Sequence, residues 1–431
     1  MKAVVPPLVA MALSLPLVVF SVLEYEINPA FVLAPLVAFA LFSELPNRYS
    51  MAFCAAGLGG VTSVLVAHYI DPSNVVRSFF GLTLALIAPS FLFLGRWMRH
   101  RGLRVRDLCF WFALFSAVFV VPVVVRLLLN GEPVRAYIGW QGFAVLNAYW
   151  FGLPVFASFG VLSLAYLFCL QMFILAAALY RRNATWITLL VFAGLTGSVF
   201  MVMGSDSRFA QLCILWLAAT AAAAAFFRGQ ALRSLLVLLA IAIGVGGTLM
   251  RVPTTELRIY KSASVILQGD EAPPEKVDIT TGRVDLIKAG LEELIASPVI
   301  GNGFSGYGRF STKERSDFQS ANSSTHVYYL TIFWKGGIVF GLPLAALLAM
   351  VALDGIRNRP WRTAQGFYLV SAVALAFGPM ALTWDILYVP SAGALAWLLL
   401  GFVSFRPRYS LRPRALDRPG SSAPQPAPTE S

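Results

Sequence analysis

The chain has 431 residues, of which 58% are hydrophobic and only 13% are charged, and its formal net charge is +12. Soluble globular domains carry about 25% charged residues, so this composition excludes an ordinary soluble enzyme. The basic residues occur in short clusters between apolar runs, which argues against nucleic-acid binding and is typical of membrane topology signals.

The apolar runs are continuous and do not alternate, which predicts membrane-spanning helices rather than a β-barrel. We therefore expect an all-α polytopic membrane protein with about twelve transmembrane helices and one large loop outside the membrane. The predicted spans are 4–23, 29–46, 50–70, 77–95, 108–129, 153–179, 184–203, 208–227, 232–250, 327–351, 364–383 and 387–404.

Basic clusters fall in every second connection and predict the orientation. Loops rich in Lys and Arg stay cytoplasmic, so both termini are expected there, together with connections that hold Arg96 and Arg99. The alternating connections hold acidic residues such as Asp206 and Asp385 and are expected outside. Four parts result: a bundle of about nine helices (1–250), an outside loop (251–325), three further helices (326–405) and a basic, then disordered tail (406–431).

The long loop contains a predicted amphipathic helix, Arg283–Ala296, which Ser297-Pro298 should end. The apolar face is expected to contain Val284, Ile287, Leu291, Leu294 and Ile295. Such a helix lies on the membrane surface, covers a cavity between spans or packs on its own loop.

Glycines follow this helix, and residues 301–306 match G-x-G-x-x-G literally. We reject a dinucleotide site, because no strand–turn–helix unit surrounds the match and the orientation places it outside. The glycines instead predict backbone freedom, either for a loop that folds over a site or for a simple flexible loop.

His326 ends the long loop at the outer boundary of a span, where an imidazole suits proton transfer; a structural histidine is the alternative. Arg208 lies at the outer end of another span, with a salt bridge to Asp206 or snorkelling as alternatives. The other arginines expected on this side are Arg283, Arg126 and Arg135. Arginines on one face suggest an anionic substrate group, such as a diphosphate.

Short motifs recur in a specific order. They are Ser207-Arg208 after a Gly-rich span end, Arg283 before the loop helix, Pro298-Val299-Ile300-Gly301-Asn302-Gly303, His326-Val327-Tyr328-Tyr329-Leu330 and Lys335-Gly336-Gly337. This pattern resembles the O-antigen ligase and polysaccharide polymerase superfamily of bacterial inner membranes, most strongly over residues 195–350. Many members have Asn or Ser after the histidine, where this chain has Val327.

The resemblance implies a GT-C-like, metal-independent glycosyltransferase without a cofactor, which moves a glycan from undecaprenyl diphosphate to an acceptor hydroxyl at the periplasmic face. Arg208 and Arg283 would bind the diphosphate, and His326 would be the general base. The secondary site candidates are Arg126, Arg135, Ser207, Gly301, Gly303 and Tyr329. The implied partners are the lipid-linked donor, a glycan or lipid A–core acceptor and membrane lipids, with no nucleic acid.

Three functions stay open. A ligase would pass a completed glycan to lipid A–core or a similar acceptor, and the single large outer loop favours it over a polymerase that joins repeat units. A transporter or flippase of an anionic lipid-linked substrate is the third. The long loop and the scarcity of charges within spans argue against transport, with Lys335 as the main exception.

Overall fold

The structure is a computed structural model that describes residues 4–14, 20–22, 25–27, 29–70, 75–130, 148–150, 153–155, 161–180, 185–205, 207–251, 260, 283–304, 325–383, 385, 387 and 390–406. Most of them are helical. The helices are α1 (Val5–Ser14), α2 (Ala34–Ser43), α3 (Arg48–Ile70), α4 (Val75–His100), α5 (Val105–Asn130), α6 (Val161–Leu179), α7 (Thr185–Met203), α8 (Arg208–Arg228), α9 (Ala231–Leu249), α10 (Arg283–Ala296), α11 (Tyr328–Asn358), α12 (Ala364–Thr383, with a π-helical turn at Ala376–Met380) and α13 (Pro390–Ser404).

Each of the twelve predicted apolar segments contains one of these helices. Eight are long and apolar enough to cross a membrane, and α1, α2, α6 and α13 are apolar but shorter. A polytopic helical membrane protein is therefore confirmed, while the count of twelve spans stays a prediction.

Two short antiparallel hairpins were not predicted. Phe20–Val22 pairs with Tyr25–Ile27, and Ala148–Trp150 pairs with Leu153–Val155. They occupy parts of segments that we expected to be helical, 4–23 and 153–179. Aromatic and β-branched residues favour strands, and Pro154 lacks the backbone donor that a helix interior needs.

The centre of the bundle is the pair α4 and α13. A Cβ atom at Gly95 would overlap the carbonyl oxygen of Leu398, and one at Gly401 would overlap that of Leu92. The two backbones can approach this closely only because both positions lack a side chain, as is common between membrane helices. Outer helices instead expose large apolar side chains, such as Leu58 and Leu215, as a lipid-facing surface requires.

One end of the bundle holds the first turn of α3 and the last turns of α4, α8 and α11, and we call it the arginine-rich end. Arg96 is buried there, with Nε 2.9 Å from Oε2 of Glu44, while Nδ1 of His100 lies 2.9 Å from Oε1 of the same carboxylate. The prediction that Arg96 and Arg99 lie in a connection is wrong, because α4 continues to His100. Glu44 provides the partner that allows a cation to be buried in the helix.

Candidate active site at the His326 end

Helix α8 runs antiparallel to α12. The indole N–H of Trp216, in the middle of α8, donates to Ser371 Oγ of α12 at 2.9 Å. At the end of α8, Arg228 donates to the carbonyl of Trp361, just before α12, at 2.6 Å. Arg208, the first residue of α8, therefore lies toward the C-terminal end of α12.

Helix α11 begins near that same end of α12. The hydroxyl of Tyr329, in the first turn of α11, donates to the carbonyl of Phe377 in the π-helical turn of α12. His326 lies three residues before Tyr329. Arg208 and His326, predicted as site residues from separate segments, therefore share one end of the bundle, which we call the His326 end.

Helices α5, α7 and α9 also end there. Thr248 near the end of α9 donates to the Phe200 carbonyl in the last turn of α7 at 3.4 Å, and α7 leads directly into α8. The guanidinium of Arg251 donates to the carbonyls of Leu127 and Leu128, in the last turn of α5, at 3.2 and 2.8 Å. Arg251, where the long loop begins, thus caps the C-terminus of α5.

The start of α8 has a fixed backbone. Ser207 Oγ accepts a hydrogen bond of 3.2 Å from a backbone N–H of the first turn, as a helix cap does. The amide of Gln211 donates to the carbonyls of Met203 and Ser205 at 2.8 and 2.9 Å and fixes the preceding turn. Half-buried Arg208 thus adds a guanidinium to the positive end of a helix dipole, an arrangement that favours anions.

The backbone of His326 is left-handed, with φ of 57°, a conformation that costs a histidine free energy unless its surroundings hold it. Its neighbour Thr325 is fully buried, and Thr325 Oγ1 lies 2.8 Å from Oγ1 of Thr331. The backbone N–H of Thr325 also donates to Thr331 Oγ1 at 3.2 Å. These hydrogen bonds fix the backbone just before α11. They thereby hold the half-buried His326 imidazole at the N-terminal end of that helix.

Helix α11 is broken at Gly337, which has φ of 62° and ψ of −167°. The break removes i to i−4 partners from groups on both of its sides. After the break, the N–H groups of Ile338 and Val339 donate to the carbonyls of Pro298 and Val299, at 2.9 and 3.2 Å. These acceptors belong to residues 298–304, which we call the glycine turn.

The glycine turn also supplies donors. The N–H of Asn302 donates to the Trp334 carbonyl at 2.9 Å, and the N–H of Phe304 donates to the Lys335 carbonyl at 3.1 Å. In a continuous helix, the N–H groups of Ile338 and Val339 would donate to the carbonyls of Trp334 and Lys335. Four hydrogen bonds with the glycine turn replace these two. Unpaired backbone groups at membrane depth cost on the order of several kcal/mol each, so the turn stabilises the broken helix.

Gly301 faces Gly337 at the centre of this contact. Gly301 has φ of 61°, and a Cβ atom there would lie 2.6 Å from the Gly337 nitrogen. From the other side, Ser63 of α3 donates to the carbonyl of Ile300. The predicted backbone freedom is present, and its use here is to insert the loop into a broken helix between α3 and α11.

The predicted loop helix is present as α10, with the expected bounds. Leu286 and Ala289 pack against Trp334 of α11, whose indole N–H donates to the buried Glu293 carboxylate at 2.8 Å. The predicted apolar face is not the one that packs on α11. Its exposed members are Val284, Leu291 and Ile295, at 43%, 43% and 78%. The opposite face packs instead, and a Cβ atom at Gly290 on that face would overlap the side chain of Thr325 just before α11.

Two buried charges lie at this end. Lys335 is 1% exposed and Asp385 is 5% exposed, and they are close enough to interact electrostatically. Lys335 Nζ also lies 5.3 Å from the ring centroid of Trp334. The sequence marked Lys335 as an unusual charge within a span and Asp385 only as an outer acidic residue. A buried ammonium group needs an opposite charge at the same depth in the membrane, and Asp385 is the carboxylate that supplies it for Lys335.

Several predicted site residues are less fully described. Arg283 is the first residue of α10 and Arg126 lies in the last part of α5, but their side chains lie outside the described residues, as does all of Arg135. Ser207 caps α8, and the hydroxyl of Tyr329 links α11 to α12 by a hydrogen bond. Their roles in chemistry, and those of Gly301 and Gly303, stay predictions.

An apolar groove of about 350 Å³ lies between α5, α7 and α9, in the halves of these helices nearest the His326 end. Its lining includes Val125, Leu128, Phe200 and Ile243. The lining of the groove is almost entirely apolar, as contact with hydrocarbon requires.

A comparison with family models matches residues 190–345 to the O-antigen ligase family. The search of curated proteins gave no match. The matched segment is about a third of the chain and contains Arg208, Arg283, the glycine turn, His326 and the break at Gly337. Residues 190–345 are thus similar to the O-antigen ligase family, and this match supports the resemblance to the O-antigen ligase and polysaccharide polymerase superfamily that the motifs indicated.

Proposed function

We propose that this protein is a membrane glycosyltransferase of the ligase type, which transfers a glycan from undecaprenyl diphosphate to an acceptor hydroxyl at the His326 end. The observation that carries the proposal is the placement of Arg208 and His326 at one end of the bundle, inside the segment that matches the family. In this proposal that end is periplasmic, both termini are cytoplasmic and the membrane is the bacterial inner membrane.

The donor reaction breaks the bond between the anomeric carbon of the glycan and an oxygen of the diphosphate. Negative charge therefore grows on the departing diphosphate. Arg208, the N-terminus of α8 and Arg283 would stabilise this charge, because fixed guanidinium groups and backbone N–H groups need little reorganisation. These groups replace the charge stabilisation that a metal ion would supply, so we expect a chelator to leave the rate unchanged.

The acceptor reaction forms a bond between an acceptor oxygen and the same anomeric carbon. The acceptor hydroxyl must lose its proton, and the His326 imidazole would accept it. General-base assistance of this kind contributes about 10²–10⁴-fold to a rate. The lipid diphosphate leaves with the electron pair of the broken bond.

The lipid chain of the donor would occupy the apolar groove between α5, α7 and α9. Phe200, in the last turn of α7 before α8, lines the groove, so a chain lying in it would present its headgroup toward Arg208. This arrangement favours a lipid-linked donor over a soluble sugar nucleotide.

A polymerase that joins repeat units would use the same groups on the same donor. We place the ligase first because the sequence contains one large outer loop. Transport of a lipid-linked anion is third, since the described charges at the His326 end, apart from the buried pair Lys335 and Asp385, lie near helix ends.

A strain that lacks the gene separates these functions. A ligase predicts loss of surface polymer while long chains remain on the carrier, and a polymerase predicts single repeat units. Normal polymer, combined with failure of an anionic substrate to cross the membrane, would overturn the transferase proposal.

A further inference from the structure

A second pocket lies at the arginine-rich end, far from the proposed transferase site. It has a volume of about 450 Å³ and is formed by α1, the end of α4 and the start of α5. Its lining includes the aromatic residues Trp97, Phe110 and Trp111 and the basic residues Arg101 and Arg104. The proposed transfer reaction has no use for a pocket at this end.

Neither arginine is used to hold the protein together. Arg101 and Arg104 are exposed, and within the described part of the chain neither has a carboxylate partner. Arg101 lies over the ring of Trp97, with its guanidinium carbon 5.6 Å from the centroid. The neighbouring Arg99, by contrast, donates to the carbonyls of Phe405 and Leu103 at 3.3 and 3.0 Å. The two pocket arginines thus remain available to a ligand.

Trp97 supplies an independent observation. Trp97 is one of the residues that line the pocket, it is only 4% exposed, and its indole N–H has no acceptor among the described residues. A buried donor without an acceptor costs about 1–3 kcal/mol, so a ligand with acceptor oxygens would remove a real penalty. Among the described residues of the lining, Asp107 is the one carboxylate, and it lies 3.5 Å from Arg106.

We propose that this pocket binds the headgroup and glycerol backbone of an anionic phospholipid from the leaflet at the arginine-rich end. The phosphate would lie between Arg101 and Arg104, and the first acyl carbons would pack on Trp111 and Val5. Basic pockets between membrane helices suit anionic headgroups, and aromatic side chains suit the interface where they lie. A soluble organic phosphate would satisfy the arginines but would leave the aromatic wall uncovered.

The test is lipid retention by the purified full-length protein, measured by native mass spectrometry with added phosphatidylglycerol. The variant pair is Arg101→Gln with Arg104→Gln. The matched control is Arg357→Gln with Arg362→Gln, which removes the same charge from exposed positions at the same end. We expect the pocket pair to weaken retention at least tenfold and the control pair to change it less than twofold. Equal losses in the two pairs would show general charge attraction and overturn the proposal.

Two further arms identify the ligand. Phosphatidylcholine should be retained at least tenfold less than phosphatidylglycerol, and glycerol phosphate, which has no acyl chain, should not compete at equal concentration. Competition by glycerol phosphate would mean a soluble ligand and would contradict the proposal. Trp97→Phe keeps a smaller aromatic ring and removes the indole N–H, so we expect retention to fall severalfold at a temperature at which the variant without lipid is fully folded. Unchanged retention in that variant would contradict the role of the indole N–H.

Discussion

Two arginines at the arginine-rich end and one at the His326 end have different surroundings. At the arginine-rich end, Arg96 and Arg48 lie 2.9 and 2.7 Å from the carboxylates of Glu44 and Asp354, so protein charges neutralise them. At the His326 end, Arg208 begins a helix and adds its charge to the positive end of the helix dipole. The first arrangement stabilises the fold, and the second suits an external anion.

Different interactions also hold the helices and loops together at the two ends. Ion pairs and rings hold α2, α3, α4 and α11 together at the arginine-rich end. Backbone hydrogen bonds between the glycine turn and the break in α11 hold the long loop at the His326 end. Backbone groups position this loop without the use of charged side chains.

The largest expected difference lies between the two ends of α8. We expect Arg208→Ala to lower the rate of glycan transfer about 10²-fold, the usual effect of removing one fixed electrostatic donor from a reacting charge. Arg228→Ala, at the other end of the same helix, removes a hydrogen bond to the Trp361 carbonyl and should leave the rate unchanged. Transfer by the purified variants measures both, and equal rate losses would remove the distinction between the ends.

Glu44 tests the stabilising role of the arginine-rich end. Glu44→Ala leaves buried Arg96 without its carboxylate, which typically costs about 3–5 kcal/mol. The transfer rate per folded molecule should not change. Asp107→Ala is the control, because its pair with Arg106 is 3.5 Å long and partly exposed, and such pairs contribute less than about 1 kcal/mol. Thermal unfolding in detergent gives the comparison; a cost for Glu44→Ala no greater than that of the control would refute this role.

The break in α11 can be tested at Gly337. Gly337→Ala combines a positive φ with overlap against the Val299 carbonyl, and we expect a loss of about 3 kcal/mol. Gly229→Ala shares the positive φ, at 60°, but has open space around it, so it should cost only about 1 kcal/mol. The difference between their unfolding free energies isolates the contact with the glycine turn, and equal values would mean that this contact contributes nothing.

The smallest effect is expected at Arg357, whose side chain is 71% exposed and lies 3.7 Å from Asp354. Arg357→Ala should change the free energy of unfolding by less than about 1 kcal/mol, since exposed ion pairs are weak. A larger loss would show that this outermost pair belongs to the network of Arg48 and Asp354.

The sequence predicted best those features that depend on residues close together in the chain. Apolar runs located every helix of the bundle, and Ser297-Pro298 located the end of α10, because both signals depend on neighbouring residues. The packed face of α10 could not be predicted, since it depends on Trp334, which lies far along the chain.

The same limit applies to the site. Glycine content predicted an adaptable loop, but its hydrogen-bond partners exist only because α11 breaks at Gly337. Glu44 and Arg96 are separated by about fifty residues, so no local pattern joins them. Arg208 and His326 could be predicted as site residues from their neighbours in the sequence. That they lie at the same end of the bundle is known only from the contacts of α12 with α8 and α11.

The most direct test of the account is single-turnover glycan transfer from a lipid-diphosphate-linked donor by His326→Asn in lipid nanodiscs. Asparagine tolerates the left-handed backbone at this position but cannot serve as the general base. We predict a rate at least about 10²-fold below that of the wild-type protein, with an unchanged melting temperature. Transfer at the wild-type rate would contradict a chemical role for His326 and for the end of the bundle that it defines.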